Sequence, residues 1–234
     1  LVIGGSFTMP GAAVLMTNAC LRAGAGLTTL AVPTSIYPII TNKVTEATFF
    51  PVEDVDGEIN VANLVKKTNM ERFNSIAIGP GLGRKRQQQL FASFKDITAP
   101  LVLDADALFH LSKELDEWKN EKRSGETIIT PHLGEMSLLT GISLDEIEKH
   151  RFEVTKEFAR EYGMYIILKG ANTLITTPTG EQWINPTGNP SLAKGGTGDV
   201  LTGIVTAFLL QHSDVLQALI NAVYIHGKAA DKCI

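Results

Sequence analysis

Short apolar runs alternate along this chain with longer stretches whose apolar residues recur every three or four positions. The runs occupy residues 1–3, 27–32, 75–78, 101–103, 127–129 and 165–168. They are rich in Ile, Val and Leu on both faces, as strands of a parallel sheet covered on both sides must be. Between them, residues 11–23, 85–94 and 144–162 predict helices. Ser143 and Glu146 are spaced as a capping box at the start of the last of these. Residues 173–177 and 182–184 flank Pro178-Thr179-Gly180 and predict a β-hairpin. In the C-terminal part, Val200, Leu201, Ile204, Val205, Phe208 and Leu209 follow a helical period. A second helix is predicted over 216–224. The pattern predicts an α/β fold: a central, mostly parallel sheet with helices on both faces, an α/β/α sandwich over residues 1–234 as a single domain.

The runs end in residues suited to binding. Ile3 leads into Gly4-Gly5-Ser6, and Ile78 into Gly79-Pro80-Gly81-Leu82-Gly83. Leu103 leads into Asp104-Ala105-Asp106, Ile129 into Thr130-Pro131-His132, and Leu168 into Lys169-Gly170-Ala171-Asn172. Ligands of open α/β sheets lie beyond the carboxyl ends of the strands.

Composition narrows the chemistry. Of 234 residues, 44% are hydrophobic and 20% charged, which is globular composition. The net charge of −4 comes without a long basic run, which argues against nucleic acid or an anionic membrane as partner. No apolar stretch reaches the length of a membrane span. Cys20 and Cys233 stand far apart and form no metal-ligand spacing. A cytoplasmic enzyme is the expectation. The chain starts at Leu1 inside a predicted strand and stops at Ile234 in a predicted helix, so further residues of the natural protein are expected at both ends.

The most informative segment is Lys194-Gly195-Gly196-Thr197-Gly198-Asp199, which runs straight into the helix of Val200 onward. Closely spaced glycines let backbone N–H groups turn towards one point. The helix start adds unpaired N–H groups and the positive end of its dipole. Together they suit a phosphate or a developing oxyanion. A carboxylate there makes sense as a base that meets a hydroxyl beside a phosphoryl group. The bland alternative is that Asp199 only caps the helix. No GxxxxGK[ST] and no GxGxxG occurs, so neither a P-loop nor a dinucleotide-binding Rossmann unit is predicted.

These motifs, with Asn185-Pro186-Thr187-Gly188-Asn189, occur in one order that resembles the ADP- or ATP-dependent NAD(P)H-hydrate dehydratases, members of the ribokinase-like superfamily. The resemblance covers essentially the whole chain. Its most specific part is Asn-Pro-Thr-Gly-Asn followed by Lys-Gly-Gly-Thr-Gly-Asp. Leu133 departs from it, where the family usually has Pro. The family's usual first and last segments are absent.

The resemblance implies a ribokinase-like fold and repair of a damaged cofactor. Such enzymes remove water from the 6-hydroxy hydrate of NADH or NADPH at the expense of ADP or ATP, with Mg²⁺. Asp199 would be the catalytic base. Ala12, Gly81, His132 and Asp199 would contact the hydrate. Lys169, Gly170, Ala171, Asn172 and Thr173 would line the adenine-nucleotide site, together with Lys194, Gly195, Gly196, Thr197 and Gly198 around the phosphates. The bland alternatives are a packed small residue for Ala12, an ordinary turn for Gly81, a structural loop histidine for His132 and a solvated lysine for Lys169, though Lys169 follows a buried strand and precedes Gly170, which suits it to reach an anion; the part of Lys194 stays open. Asp104 and Asp106 could hold Mg²⁺ through water or cap the following helix, so no metal ligand is assigned. Family members are often tetramers, so a homo-oligomer is expected. The rivals are a ribokinase-like kinase of a vitamin-precursor alcohol (hydroxyethylthiazole or hydroxymethylpyrimidine type) and a non-catalytic adenine-nucleotide sensor.

Overall fold

The structure is a computed structural model and describes residues 1–85 and 88–233. Its strands are β1 (Val2–Ile3), β2 (Thr29–Pro33), β3 (Thr48–Val52), β4 (Asp54–Val55), β5 (Glu58–Ile59), β6 (Ile76–Ile78), β7 (Leu101–Leu103), β8 (Thr127–Ile129), β9 (Tyr165–Leu168), β10 (Leu174–Thr176) and β11 (Gln182–Ile184). Its helices are α1 (Pro10–Arg22), α2 (Tyr37–Ile40), α3 (Val61–Lys67), α4 (Leu90–Phe94), α5 (Asp106–Leu111), α6 (Leu115–Asn120), α7 (Leu133–Thr140), α8 (Leu144–Lys149), α9 (Arg151–Tyr162), α10 (Thr197–Phe208) and α11 (Val215–Asp231).

Nine strands form one sheet in the order β11-β10-β9-β8-β7-β6-β1-β2-β3. From β3 to β9 every pairing is parallel, and β10 turns back antiparallel to pair with β11 as the predicted hairpin. β4 and β5 make a separate small ribbon. The strand order reverses between β1 and β6, so the loops after these two strands diverge and leave a crevice.

The period-2 alternation of the strands divides the interior into two cores. Ile76, Ile78, Leu101, Leu103 and Ile166 face one core, with side chains of α3 to α9. Ala77, Val102, Ile128 and Ile167 face the other, with α1, α10 and α11. Both sheet faces are buried, as the unbroken apolar runs require. On the second face α1 and α10 meet backbone to backbone. A side-chain carbon added at Gly203 would lie 2.2 Å from the Met16 carbonyl oxygen and 2.9 Å from the Cys20 nitrogen. Among the described residues no helix is long and apolar enough to cross a membrane.

Two local expectations need correction. Residues 144–162 form two helices, because His150 leaves helical geometry (φ −120°, ψ 32°) between α8 and α9. Ser143 does cap α8, accepting from the Glu146 N–H at 3.4 Å. Of the helix expected over 85–94, residues 86 and 87 lie outside the described residues, and only Leu90–Phe94 is helical. Gln88 is tied elsewhere: its side chain accepts from the Val61 N–H and donates to the Ile59 carbonyl. The last residue of the chain, Ile234, also lies outside the described residues.

Candidate active site

The start of α10 is built as the glycine run suggests. Gly196 takes a left-handed conformation (φ 93°) and no side chain caps the helix. The Thr197 hydroxyl lies 2.7 and 2.9 Å from the carbonyls of Leu192 and Lys194, between which its one hydrogen is shared, and this folds the loop back under the helix. N–H groups of residues 194–196 donate to no described residue, and the first turn of α10 leaves further N–H groups free. Asp199 stands in that first turn, half-buried. Its carboxylate makes no hydrogen bond or salt bridge to a described residue, so it is not a cap. Burial, and then the negative charge of Asp104, push this carboxyl up to about 6, while Lys169 pulls the other way. A carboxylate so placed is a poised proton acceptor.

Beside it lies a buried charge cluster. Lys169, at the end of β9, donates to Asp104 Oδ1 at 2.7 Å and lies 3.6 Å from Glu135 Oε2. The Thr202 hydroxyl, on α10, donates to Asp104 Oδ2 at 2.7 Å. Asp104 is 1% exposed and the Lys169 side chain 19%. Burial pushes the Asp104 carboxyl up, but the Lys169 charge, that hydrogen bond and Thr202 outweigh it and hold the group low. Burial likewise pulls the Lys169 ammonium down, and Asp104 and Glu135 more than offset it. The pair is therefore ionic. Lys169 is not the solvated surface lysine of the bland reading.

His132 caps α7. Its Nδ1 accepts from the Glu135 N–H at 3.2 Å, and Glu135 accepts from the His132 N–H at 2.8 Å. An accepting Nδ1 places the neutral ring's hydrogen on Nε2, and 59% of the side chain is exposed. His132 thus has the structural role and still offers a donor edge. The backbones of His132 and Lys169 are bridged, so both belong to one rim above β8 and β9.

Ala12 and Gly81 meet in the crevice between β1 and β6. A side-chain carbon at Gly81 (φ 68°) would lie 2.8 Å from the Met9 carbonyl and 3.0 Å from the Ala12 Cβ. Gly81 is buried, so its bareness first serves the fit of its loop against the start of α1. The loop is further held by Asp106, which accepts from the Gly83 N–H at 3.0 Å and from Arg84 Nε at 2.6 Å. Neither Asp104 nor Asp106 caps α5, whose preceding residue is Ala105 without a side-chain cap. All four of their oxygens already accept from protein groups. Among the described residues no group of three His, Cys, Asp or Glu could hold a metal ion.

A cavity of 440 Å³ opens next to Gly198. Lys169, Gly170, Ala171, Asn172 and Thr173 form one wall, as expected for the nucleotide, and Thr197 and Gly198 the end. Lys194, Gly195, Gly196, Asp199, Ala12, Gly81 and His132 lie outside that wall. The sequence reading missed the opposite wall: the segment 185–190 and, on α11, Val223, His226 and Gly227. Asp231 pins this segment by accepting from the Gly188 N–H at 3.2 Å and from Asn189 Nδ2 at 3.3 Å. The Thr187 hydroxyl reaches the Tyr224 carbonyl at 3.1 Å. Glu135 and Thr202 were missed as well. Only Glu135 carried a signal, its capping-box spacing from His132.

The arrangement has two lobes, an apolar-floored cavity and a crevice, with a free carboxylate and unpaired N–H groups between them. The chain is 39% identical over 232 residues to the ADP-dependent (S)-NAD(P)H-hydrate dehydratase of Bacillus subtilis (strain 168), covering 99% of this chain and 79% of that one. It is 35% identical to the bifunctional NAD(P)H-hydrate repair enzyme Nnr of Moorella thermoacetica, spanning 44% of that longer protein. The crystal structure of the ADP/ATP-dependent NAD(P)H-hydrate dehydratase from Bacillus subtilis, co-crystallized with ATP/Mg²⁺ and soaked with CoA, superimposes with a TM-score of 0.85 at 38% identity, covering 99% of this chain and 81% of that one. The ribokinase-like expectation for the fold therefore holds. The family Carb_kinase, described as NAD(P)H-hydrate dehydratase, matches residues 1–234, and the chain belongs to it.

Proposed function

We propose that this chain removes water from the 6-hydroxy hydrate of NADH or NADPH, with ADP or ATP as phosphoryl donor. The observation that carries this reading is the unpartnered Asp199 carboxylate beside the unpaired N–H groups at the start of α10. Hydroxide leaves poorly from carbon, so the hydroxyl must first be made a better leaving group. Asp199 accepts the hydroxyl proton as that oxygen bonds to the terminal phosphorus and the bond to AMP (or ADP) breaks. N–H groups of residues 194–199 receive the oxyanion charge, and Lys169 adds its fixed positive charge. The ring-nitrogen lone pair then expels phosphate, and loss of a proton from the adjacent carbon restores the double bond.

The adenine nucleotide takes the 440 Å³ cavity with its phosphates towards Gly198, and the hydrate takes the crevice of Ala12 and Gly81 and extends towards His132 on the rim above β8 and β9. Each oxygen of Asp104 and Asp106 already accepts one hydrogen bond from the protein, so neither carboxylate is assigned as a direct Mg²⁺ ligand. Mg²⁺ would accompany the nucleotide as the counter-ion of its phosphates. A cytoplasmic, homo-oligomeric protein of one domain completes the proposal.

The test mixes the protein with hydrated NADH, Mg²⁺ and either ADP or ATP. Return of the reduced-nicotinamide absorbance with stoichiometric phosphate is expected. Accumulation of a stable phosphorylated alcohol would instead make the chain a kinase, and nucleotide binding without turnover would make it a sensor.

A further inference from the structure

We propose that Asp104 is a positioning residue of this site: its two oxygens hold the Lys169 ammonium and the Thr202 hydroxyl at once, and so lock the end of β9 to the start of α10. The inference rests on reading that helix start as the place of phosphoryl transfer.

Asp104 follows β7 and is 1% exposed. A carboxylate so deep is tolerated only when both oxygens are bonded. One accepts from Lys169, 65 positions away, and the other from Thr202, 98 positions away. The Thr202 hydroxyl also lies 3.1 Å from the Gly198 carbonyl, but its one hydrogen goes to the nearer, charged acceptor. Three elements therefore converge on one side chain.

The position of the ammonium follows. Asp104 holds it from one side, and Glu135, itself fixed as the cap partner of His132, stands 3.6 Å off. A side-chain carbon built on Gly198 would lie 3.3 Å from Lys169 Nζ and 3.8 Å from Asp104 Oδ2. The ammonium thus looks onto the bare backbone at the cavity's end. It has three hydrogens and one hydrogen-bonded partner, Asp104, among the described residues, so donors remain for a phosphoryl oxygen. Without Asp104 the ammonium would lose its hydrogen bond and keep only the looser 3.6 Å ion pair with Glu135.

Asp104 also acts on Asp199 by charge. Asp104, Asp106 and Glu135 face Asp199 with negative charge and Lys169 with positive charge, while His226 approaches α10 from α11 at the Thr197 backbone. Removing the Asp104 charge while freeing Lys169 lowers the proton affinity of Asp199.

Three measurements on Asp104→Asn, Thr202→Val and Thr202→Ser test the proposal: ADP and ATP affinity by calorimetry without hydrate, ¹³C NMR titration of the Asp199 carboxyl in the free protein, and kcat and KM with hydrated NADH. Asp104→Asn is expected to weaken nucleotide binding about tenfold, lower kcat about 10²-fold, and move the Asp199 titration to lower pH. Thr202→Val keeps every charge and is expected to lose about tenfold in kcat, with Thr202→Ser restoring it. A folded Asp104→Asn that matches wild type in affinity, titration and turnover overturns the proposal. If Asp104→Asn does not fold, the Thr202 pair decides, and a Thr202→Val indistinguishable from wild type overturns it. The calorimetry and the titration need no turnover, so failure of the dehydratase reading would be seen separately, as a wild type inert towards hydrate.

Discussion

Each end of the sheet holds a largely buried cation. At the amino ends of β7 and β8, the Arg123 guanidinium donates to the carbonyls of Phe94, Ile97, Ala99 and Glu126 and to the Thr127 hydroxyl. At the carboxyl ends, Lys169 bonds Asp104 and keeps donors in reserve. Burial pulls Arg123 down to about 10, which leaves it charged at neutral pH. Arg123 even lines the larger cavity, of 620 Å³ against 440 Å³. That space is the less promising one, because its cation already has partners. Unsatisfied donors beside an unpartnered base mark a site better than volume does.

The largest effect is expected at the carboxyl end. Asp199→Asn should lower kcat about 10²- to 10⁴-fold while nucleotide affinity by calorimetry survives. Near-normal turnover would remove the contrast between the two ends. In wild type, kcat/KM should rise with pH through about 6 as Asp199 loses its proton, then level off. Stability runs the other way. The folded carboxyl holds its proton more tightly than the unfolded one, so between about 4 and 6 the native state binds more protons and is destabilised as pH rises. Asp199→Asn should therefore melt higher than wild type at pH 7.5, with the gap narrowing below pH 5.

At the amino end the expectation inverts. Arg123→Met strands four carbonyls and should cost about 2–4 kcal/mol of unfolding free energy, with kcat of the folded fraction unchanged. A fall in kcat would show that the two ends are coupled. A smaller effect is expected from Gly227→Ala, whose new carbon would sit 2.3 Å from Thr187 Oγ1. Displacing the far wall should raise the nucleotide KM about tenfold with little change in kcat. The smallest is Ser143→Ala, away from both ends, which should cost about 1 kcal/mol in denaturant unfolding and nothing in activity.

Much of this was legible in the chain because the buried strands are continuous apolar runs, nearly all of which end in residues suited to binding. The antiparallel hairpin of β10 and β11 announced itself through Pro178-Thr179-Gly180. β3 did not. It is an edge strand of mixed exposure containing Pro51, and Pro is tolerated only at such an edge. The short helix α7 was hidden in a loop, since eight residues give too little periodicity to read. The capping box at His132 and Glu135 escaped notice because an imidazole, not a hydroxyl, takes the cap position. Asp199 could be singled out from its neighbours in sequence. The tie between Asp104 and Lys169 could not, because only folding brings β7 and β9 to the same edge of the sheet.

The bare methylene of Gly203 has a mechanical consequence. At Gly203 no side chain of α10 stands between the helices, so α1 and α10 touch there through backbone and the small Ala19 methyl and cannot move closer. One helix begins at the crevice rim, the other at the proton acceptor. The close approach at Gly203 therefore ties the positions of these two helix starts to one another.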